Sequence, residues 1–216
     1  MIRIMLADDH DVVRRGLREL LEEHEGWEVC GEAANGRQAI EMVKQLRPHV
    51  AVVDLGMPEL NGLEATRHIR KEVPETEILV FTMHESEQLV WDVLEAGARG
   101  FVMKSDAARY LTSAVEALAQ HKPFFTSKVS ELVLGEFLKA GKHRKEAAAS
   151  PSLLTPRERE IVQLLAESKS NKEISTILNI SVKTVETHRA TIMRKLNINS
   201  IVELVHYAVR NELVEA

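Results

Sequence analysis

The chain has 216 residues, 44% of them hydrophobic and 28% charged, with a formal net charge of −5. That length is enough for two small domains, and the composition is ordinary for a globular protein in water. The longest apolar runs are strand-sized and the N-terminus lacks the pattern of a secretion signal, so a cytoplasmic protein with no membrane contact is expected.

Charge is unevenly spread. Residues 1–127 hold 14 Lys and Arg against 22 Asp and Glu, residues 128–152 hold 5 against 3, and residues 153–216 hold 9 against 8. An acidic first half and a near-neutral second half point to two jobs. The single cysteine, Cys30, lies in an apolar stretch and reads as a buried, inert thiol.

The first half alternates between short apolar runs and stretches with helical spacing. Ile2–Ala7 predicts a strand and Asp11–His24 a helix through Val12, Val13, Leu17, Leu20 and Leu21. Trp27–Ala33 is strand-like, and Gly36–Leu46 is helical through Ala39, Ile40, Val43 and Leu46. His49–Leu55 is a β-branched run, Leu63–Glu72 a helix and Ile78–Met83 a strand. Glu87–Ala96 predicts a helix, Gly100–Met103 a short strand and Ala107–Ala119 a helix. Five strand–helix units of this kind predict an α/β domain: a five-stranded, parallel, doubly wound sheet of the flavodoxin-like type over residues 1–120.

From about residue 140 the pattern stops. "KAGKHRKEAAASPS" is basic, then small, then Ser/Pro, and residues 121–152 read as a partly helical linker. Its Lys142, Arg144 and Lys145 read as solvated charges. Residues 153–216 predict a small all-α domain. Thr155-Pro156-Arg157-Glu158 and Ser170-Asn171-Lys172-Glu173 each carry the signal of a capped helix start. Ser181 opens a third helix with Val185, Ile192 and Leu196 on one side, and a fourth follows from about Ser200 with Val202, Val205 and Val209. The second and third form a helix-turn-helix, with Asn179 in the turn.

In an open parallel sheet, ligands bind beyond the carboxyl ends of the strands. Strand one ends in Asp8 and Asp9, strand three in Asp54, strand four near Thr82 and strand five in Lys104. Parallel strands bring these ends to one edge. Three carboxylates in a small space call for a hard divalent cation such as Mg²⁺, and Lys104 and Thr82 add a fixed positive charge and a hydroxyl. The set suits a phosphoryl group attached to, or arriving at, a carboxylate. The other histidines, among them His10, His24, His49, His68, His121, His143 and His206, show no metal-ligand spacing and read as surface or packing residues.

The pieces "LADDH", "VVDLGMPELNG", "ILVFTMH" and "GFVMKSD" resemble, in order and interval, the receiver domain of two-component response regulators. The resemblance implies that Asp54 is the phosphoacceptor. Asp9 would bind Mg²⁺ directly and Asp8 through water, with Asp54 and the Gly56 backbone carbonyl as further ligands. Thr82 and Lys104 would contact phosphoryl oxygens, and Phe101 would be the switch aromatic that swings inward when Thr82 moves. Ser105 stands where the family often has proline. Gly56 and His84 occupy positions that tune how water reaches an acyl phosphate.

"LTPREREIVQLLAESKSNKEISTILNISVKTVETHRATIMRKL" is very similar to the LuxR-type helix-turn-helix, so the whole chain resembles the NarL/FixJ class. On that resemblance Glu186, Thr187 and Ala190 would face base edges of double-stranded DNA. Lys183, Thr184, His188, Arg189 and Arg194 would lie nearer phosphates, and the last helix, with Leu204, Val205 and Val209, would serve DNA-bound homodimer contacts, while some of these apolar residues must also pack against their own domain. The implied protein is a non-enzyme, phosphorylated by a sensor histidine kinase or slowly by acyl phosphates. Its recognition helix would be freed from cover by the receiver. Two other readings stay open at this point: an Asp-nucleophile phosphatase, and a DNA-binding protein with a vestigial receiver.

Overall fold

The computed structural model describes residues 1–83, 86–127, 129–132, 153–211 and 213–214. His84 and the basic residues Lys142, Arg144 and Lys145 lie outside them. The first half alternates β1 (Ile2–Ala7), α1 (Asp11–Glu22), β2 (Trp27–Ala33), α2 (Gly36–Leu46), β3 (Val50–Val53), α3 (Gly62–Glu72), β4 (Glu77–Thr82), α4 (Glu87–Glu95), β5 (Gly100–Met103) and α5 (Ala107–Ala119). A 3-10 turn, Lys104–Asp106, joins β5 to α5. Expected and observed elements differ only at their ends, where the apolar period does not mark the last turn.

The strands lie in the order β2-β1-β3-β4-β5-β6, every pair parallel. The sixth strand, β6 (Phe124–Phe125), pairs Phe124 with Gly100 and Phe125 with Phe101. It corrects the expectation of five strands: two residues are too few to show a period, and the sequence reading left them in the linker. Val129 also packs into the core of the sheet domain, beyond the expected boundary at residue 120.

Side chains of a strand point alternately to opposite faces. Met5, Ala7, Val53 and Val80 therefore pack under α2, α3 and α4, while Ile4, Leu6, Val52 and Phe81 pack under α1 and α5. Both faces are covered, which is why the strands read as unbroken apolar runs. Each fully buried Leu or Ile contributes about 1.5–3 kcal/mol.

The second half holds α6 (Pro156–Ala166), α7 (Asn171–Ile177), α8 (Val182–Leu196) and α9 (Ile201–Arg210). Capping boxes at Thr155/Glu158, Ser170/Glu173 and Ser200/Glu203 start α6, α7 and α9. Asn179 takes φ +51 in the turn before α8, the left-handed conformation that asparagine tolerates. Ile161, Leu164, Ile174, Val185, Ile192 and Leu204 form the small core. No helix among the described residues is long and apolar enough to cross a membrane.

The loop from β3 to α3 folds back so tightly that Gly62 has no room for a side chain. A Cβ there would lie 1.9 Å from the Asp54 carbonyl oxygen and 2.9 Å from Leu55 Cα. Gly62→Ala is expected to destabilise the sheet domain by about 2 kcal/mol or more, because backbone cannot move aside as a side-chain end can. Urea unfolding checks this; an unchanged midpoint would show that the loop is slack.

Candidate functional site

Asp8 follows β1 and Asp54 follows β3, neighbouring strands on either side of which the strand order runs in opposite directions. Lys104, just past β5, reaches back between them. Its Nζ lies 2.7 Å from Asp8 Oδ2 and donates a hydrogen bond of 2.8 Å to Asp54 Oδ2. Asp8 and Asp54 are 1% and 2% exposed. The Leu55 N–H donates to Asp54 Oδ1 at 2.8 Å, and the His10 N–H donates to Asp8 Oδ1 at 2.9 Å. Asp9 sits at the rim, partly exposed.

One ammonium for two buried carboxylates leaves the pocket short of positive charge. Burial pushes the Asp54 carboxyl above the ordinary carboxylate range, and the Asp8 charge adds to this; the Lys104 and Leu55 donors do not cancel it. Burial alone would lower the Lys104 ammonium, but its bonds to Asp54 and Asp8 outweigh that and raise it. Excess negative charge increases the proton affinity of both groups. Asp8 Oδ2 is buried against the Lys104 ammonium. Ligand atoms of Asp8, Asp9, His10 and Asp54 all lie within 4.8 Å of one another, so this acidic pocket can hold a metal ion. This oxygen-rich set, with two of its carboxylates buried, fits a hard cation.

His10 departs from its reading as an ordinary surface histidine. Its Nδ1 stands 2.7 Å from Asp9 Oδ1 and 3.3 Å from Asp8 Oδ1. Ligand-spacing rules miss it because the cluster is built from neighbours in the chain plus Asp54. Cys30 is half-buried, and burial raises its thiol pKa, as an inert thiol requires.

Thr82 ends β4, 1% exposed, and with Asp9 and Gly56 lines a cavity of about 710 Å³ that opens over the acidic pocket. Phe101 is also 1% exposed and belongs to the core under α2 to α4. Ser105 lies in the 3-10 turn after Lys104.

All the sequence-predicted DNA residues lie on α8. Lys183, Glu186, Thr187, Ala190 and Arg194 are exposed, and Thr184, His188 and Arg189 are half-buried. The Thr184 hydroxyl is 2.8 Å from that of the N-cap Ser181, and the Thr187 hydroxyl donates to the Lys183 carbonyl at 2.9 Å. Lys195, counted with the basic face in the sequence, is exposed but donates to Glu158 Oε2 at 2.6 Å. Leu204 is fully buried in its own domain, the packing that the sequence expects of some residues of this helix; Ile201 and Val202 are exposed apolar residues of α9. Val209 lines the larger cavity.

The two halves meet, but α8 is not what the receiver half covers, contrary to the sequence expectation. The covered helix is α6. Gln163, 1% exposed, accepts from the Asn61 N–H at 2.8 Å and donates to the Met57 carbonyl at 2.9 Å and to Glu167 Oε1 at 2.8 Å. The Glu59 N–H donates to Glu167 Oε1 at 3.0 Å and Oε2 at 3.2 Å. Met57, Glu59 and Asn61 all belong to the loop that follows Asp54. Beside it, Arg159 Nε pairs with Glu64 Oε1 at 2.5 Å. Glu160 takes Arg37 at 3.2 Å, Arg157 at 2.9 Å and His68 at 3.4 Å. Sequence reasoning missed these residues. Arg159, Gln163 and Glu167 recur every four positions, and nothing in that spacing signals a second domain against them.

Comparison with known proteins places both halves. Residues 4–116 match the response regulator receiver domain, and residues 152–208 match the bacterial regulatory proteins of the luxR family. The transcriptional regulatory protein LiaR of Bacillus subtilis is 39% identical over 99% of this chain and 100% of its own. The oxygen regulatory protein NreC of Staphylococcus epidermidis is 38% identical over the same shares. RcsB of Salmonella enterica serovar Typhimurium, solved bound to promoter rprA with the phosphomimetic BeF3−, superposes with a TM-score of 0.61 at 30% identity, covering 95% of this chain and 97% of that one.

His68 supplies a pH test of the contact between the halves. The bond to Glu160 raises the imidazole above its ordinary value against the opposing effect of burial, so the folded protein holds the proton more tightly than the unfolded chain does. The stabilisation is complete below the ordinary imidazole pKa of about 6.5 and is lost as pH rises through the raised value. Histidine NMR titration should place His68 above the ordinary value and back near it in Glu160→Gln. A wild-type His68 that titrates at or below the ordinary value would contradict the pairing.

Proposed function

For this chain, which belongs to the NarL/FixJ class of two-component response regulators, we propose control of the DNA-binding half by phosphorylation of Asp54. Lys104 shared between the buried carboxylates of Asp8 and Asp54, with the carboxylate of Asp9 beside them, is the observation that carries the proposal. The relatives are transcriptional regulators, and the pocket reads as a phosphoacceptor site rather than that of an enzyme turning over substrate.

A carboxylate oxygen of Asp54 attacks phosphorus, and the donor leaves with the electron pair of the bond that breaks. The donor is a phosphohistidine of a sensor histidine kinase or a small acyl phosphate. Lys104 holds one phosphoryl oxygen and the Thr82 hydroxyl a second, both fixed by the strand ends before the donor arrives. Asp8, Asp9, Asp54 and the Gly56 carbonyl would hold Mg²⁺, which would supply the charge neutralisation the pocket lacks. Phe101 and Thr82 relay the change to the surface of α4 and β5.

The division of labour follows the sequence reading: receiver in residues 1–120, linker in 121–152 and DNA-binding domain in 153–216, with receiver packing continued to Val129. Glu186, Thr187 and Ala190 face base edges; Lys183, Thr184, His188, Arg189 and Arg194 hold the phosphate backbone. A homodimer on double-stranded DNA uses the exposed side of α9, and the site of action is the cytoplasm.

Intact mass after incubation with acetyl phosphate tests the first half of this reading. One phosphoryl gain is expected, abolished in Asp54→Asn and without Mg²⁺; a gain that survives Asp54→Asn would contradict it. Salt-dependent DNA binding tests the second half. Lys183→Ala should weaken binding across sequences and reduce the slope of log affinity against log salt by about 1. An unchanged slope would remove Lys183 from the phosphate contacts.

A further inference from the structure

The turn after β1 carries a nitrogen donor to a pocket whose other ligand atoms are all oxygens. His10 is the N-cap residue of α1, yet its side chain makes no capping hydrogen bond. Its Nδ1 lies 2.7 Å from Asp9 Oδ1 and 3.3 Å from Asp8 Oδ1. Ligands at adjacent corners of an octahedron, each about 2.1 Å from the ion, stand about 3.0 Å apart, and the two distances bracket that spacing. Ligands on opposite sides of such an ion are about 4.2 Å apart. The atoms of Asp8, Asp9, His10 and Asp54 lie within 4.8 Å of one another, so the set has to close by no more than about 0.6 Å. The backbone beneath the ring is held from several sides. The His10 N–H donates to Asp8 Oδ1 at 2.9 Å, the Arg14 N–H to the His10 carbonyl at 3.1 Å and Arg14 Nη1 to the Asp8 carbonyl at 2.6 Å. The side chain of His10 is 57% exposed, which leaves the ring room to turn by the small amount that closure needs.

We infer that His10 is a further metal ligand, through Nδ1, and that it turns the preference of this pocket toward divalent transition-metal ions that accept imidazole, such as Co²⁺ and Zn²⁺. The inference rests on the reading that the pocket holds a divalent cation beside Asp54. Ligand chemistry sets its direction. Mg²⁺ takes oxygen ligands and keeps several waters. Imidazole nitrogen suits the later first-row metals, whose affinity for mixed nitrogen and oxygen sites rises along the series from Mn²⁺ to Cu²⁺. The carboxylates of Asp8, Asp9 and Asp54 serve either kind of ion, whereas the ring nitrogen serves only the second. The ring ligates in the tautomer whose hydrogen sits on Nε2, with the Nδ1 lone pair toward the ion. An ion pair with Asp9 alone would need one carboxylate, but Nδ1 faces two, through oxygens that one ion can share. Lys104 does not compete for the same atom: its ammonium lies against Asp8 Oδ2, and the imidazole approaches Asp8 Oδ1.

His10→Asn removes the nitrogen ligand and keeps a favoured N-cap residue, so α1 retains its start. The full-length chain and His10→Asn are each titrated by calorimetry with CoCl₂ and with MgCl₂, and proton NMR of the histidine rings is recorded with Co²⁺ before and after addition of excess Mg²⁺. A ring bound directly to Co²⁺ is shifted far outside the ordinary range. In wild type one strongly shifted ring is expected, absent from His10→Asn and returned to the ordinary range by excess Mg²⁺, which places both ions in one site. The ratio of Co²⁺ to Mg²⁺ affinity should fall at least about tenfold in His10→Asn, the smaller end of the loss seen when a metal site loses a supporting group. An equal ratio in the two proteins would overturn the inference. So would a His10 ring that stays unshifted while Co²⁺ binds, or Co²⁺ that Mg²⁺ does not displace, since such an ion sits elsewhere; each of these leaves Mg²⁺-dependent phosphorylation of Asp54 standing. Binding of neither ion would overturn the cation reading of the pocket, and this inference with it.

Discussion

Two carboxylates share one ammonium in a place that water barely reaches. Lys104 lies against Asp8 and Asp54 and offsets part of their charge. Burying an isolated charge is costly enough that such groups are paired, neutralised or bound to a metal. The parallel sheet is what makes the pairing possible. It brings the ends of β1, β3 and β5 to one edge although Asp54 and Lys104 are separated by fifty positions. Apolar strands buried on both faces keep those ends in place, and the remaining excess of negative charge is what a cation would neutralise.

The same pocket is also where the two halves of the chain meet. The loop that begins at Asp54 is folded against the receiver by Gly62 and offers its outer backbone groups at Met57, Glu59 and Asn61 to α6. A buried backbone amide left without a partner costs about 1–3 kcal/mol, so this loop and α6 hold one another firmly only while both stay in place. Because α6 rather than α8 is held, the face that would read DNA is open in the closed arrangement. Release would change where α8 can be carried and which copies of the chain can pair, not whether its surface is free.

Much of this was legible in the sequence. The alternation from Ile2 to Ala119 predicts ten of the elements in order, because strands buried on both faces and helices buried on one leave different apolar periods. The residues at the strand ends identify the acidic pocket because strand direction alone decides where they gather. What was not legible depends on tertiary contact. Phe124–Phe125 becomes a strand only because β5 offers an edge. Gln163 looks like a surface residue of an amphipathic helix and is buried only because a second domain lies against it. His10 joins the acidic cluster through the turn after β1, and Lys195 leaves the basic face of α8 for the capping box of α6; neither follows from spacing. Of Leu204, Val205 and Val209, spacing alone does not say which packs inward; Leu204 is fully buried in the core of its own small domain.

The central claim is that chemistry at Asp54 governs the DNA-binding half. Its most direct test is DNA affinity as a function of the state of Asp54, using duplexes selected from a random pool by the acetyl phosphate-treated protein. Fluorescence anisotropy would compare wild type and Asp54→Asn, each with and without acetyl phosphate and Mg²⁺. The account predicts that treatment strengthens binding by the wild type and leaves Asp54→Asn unchanged. Equal affinity of treated and untreated wild type, with Asp54 shown to be phosphorylated, would contradict it and leave a DNA-binding protein whose receiver no longer commands it.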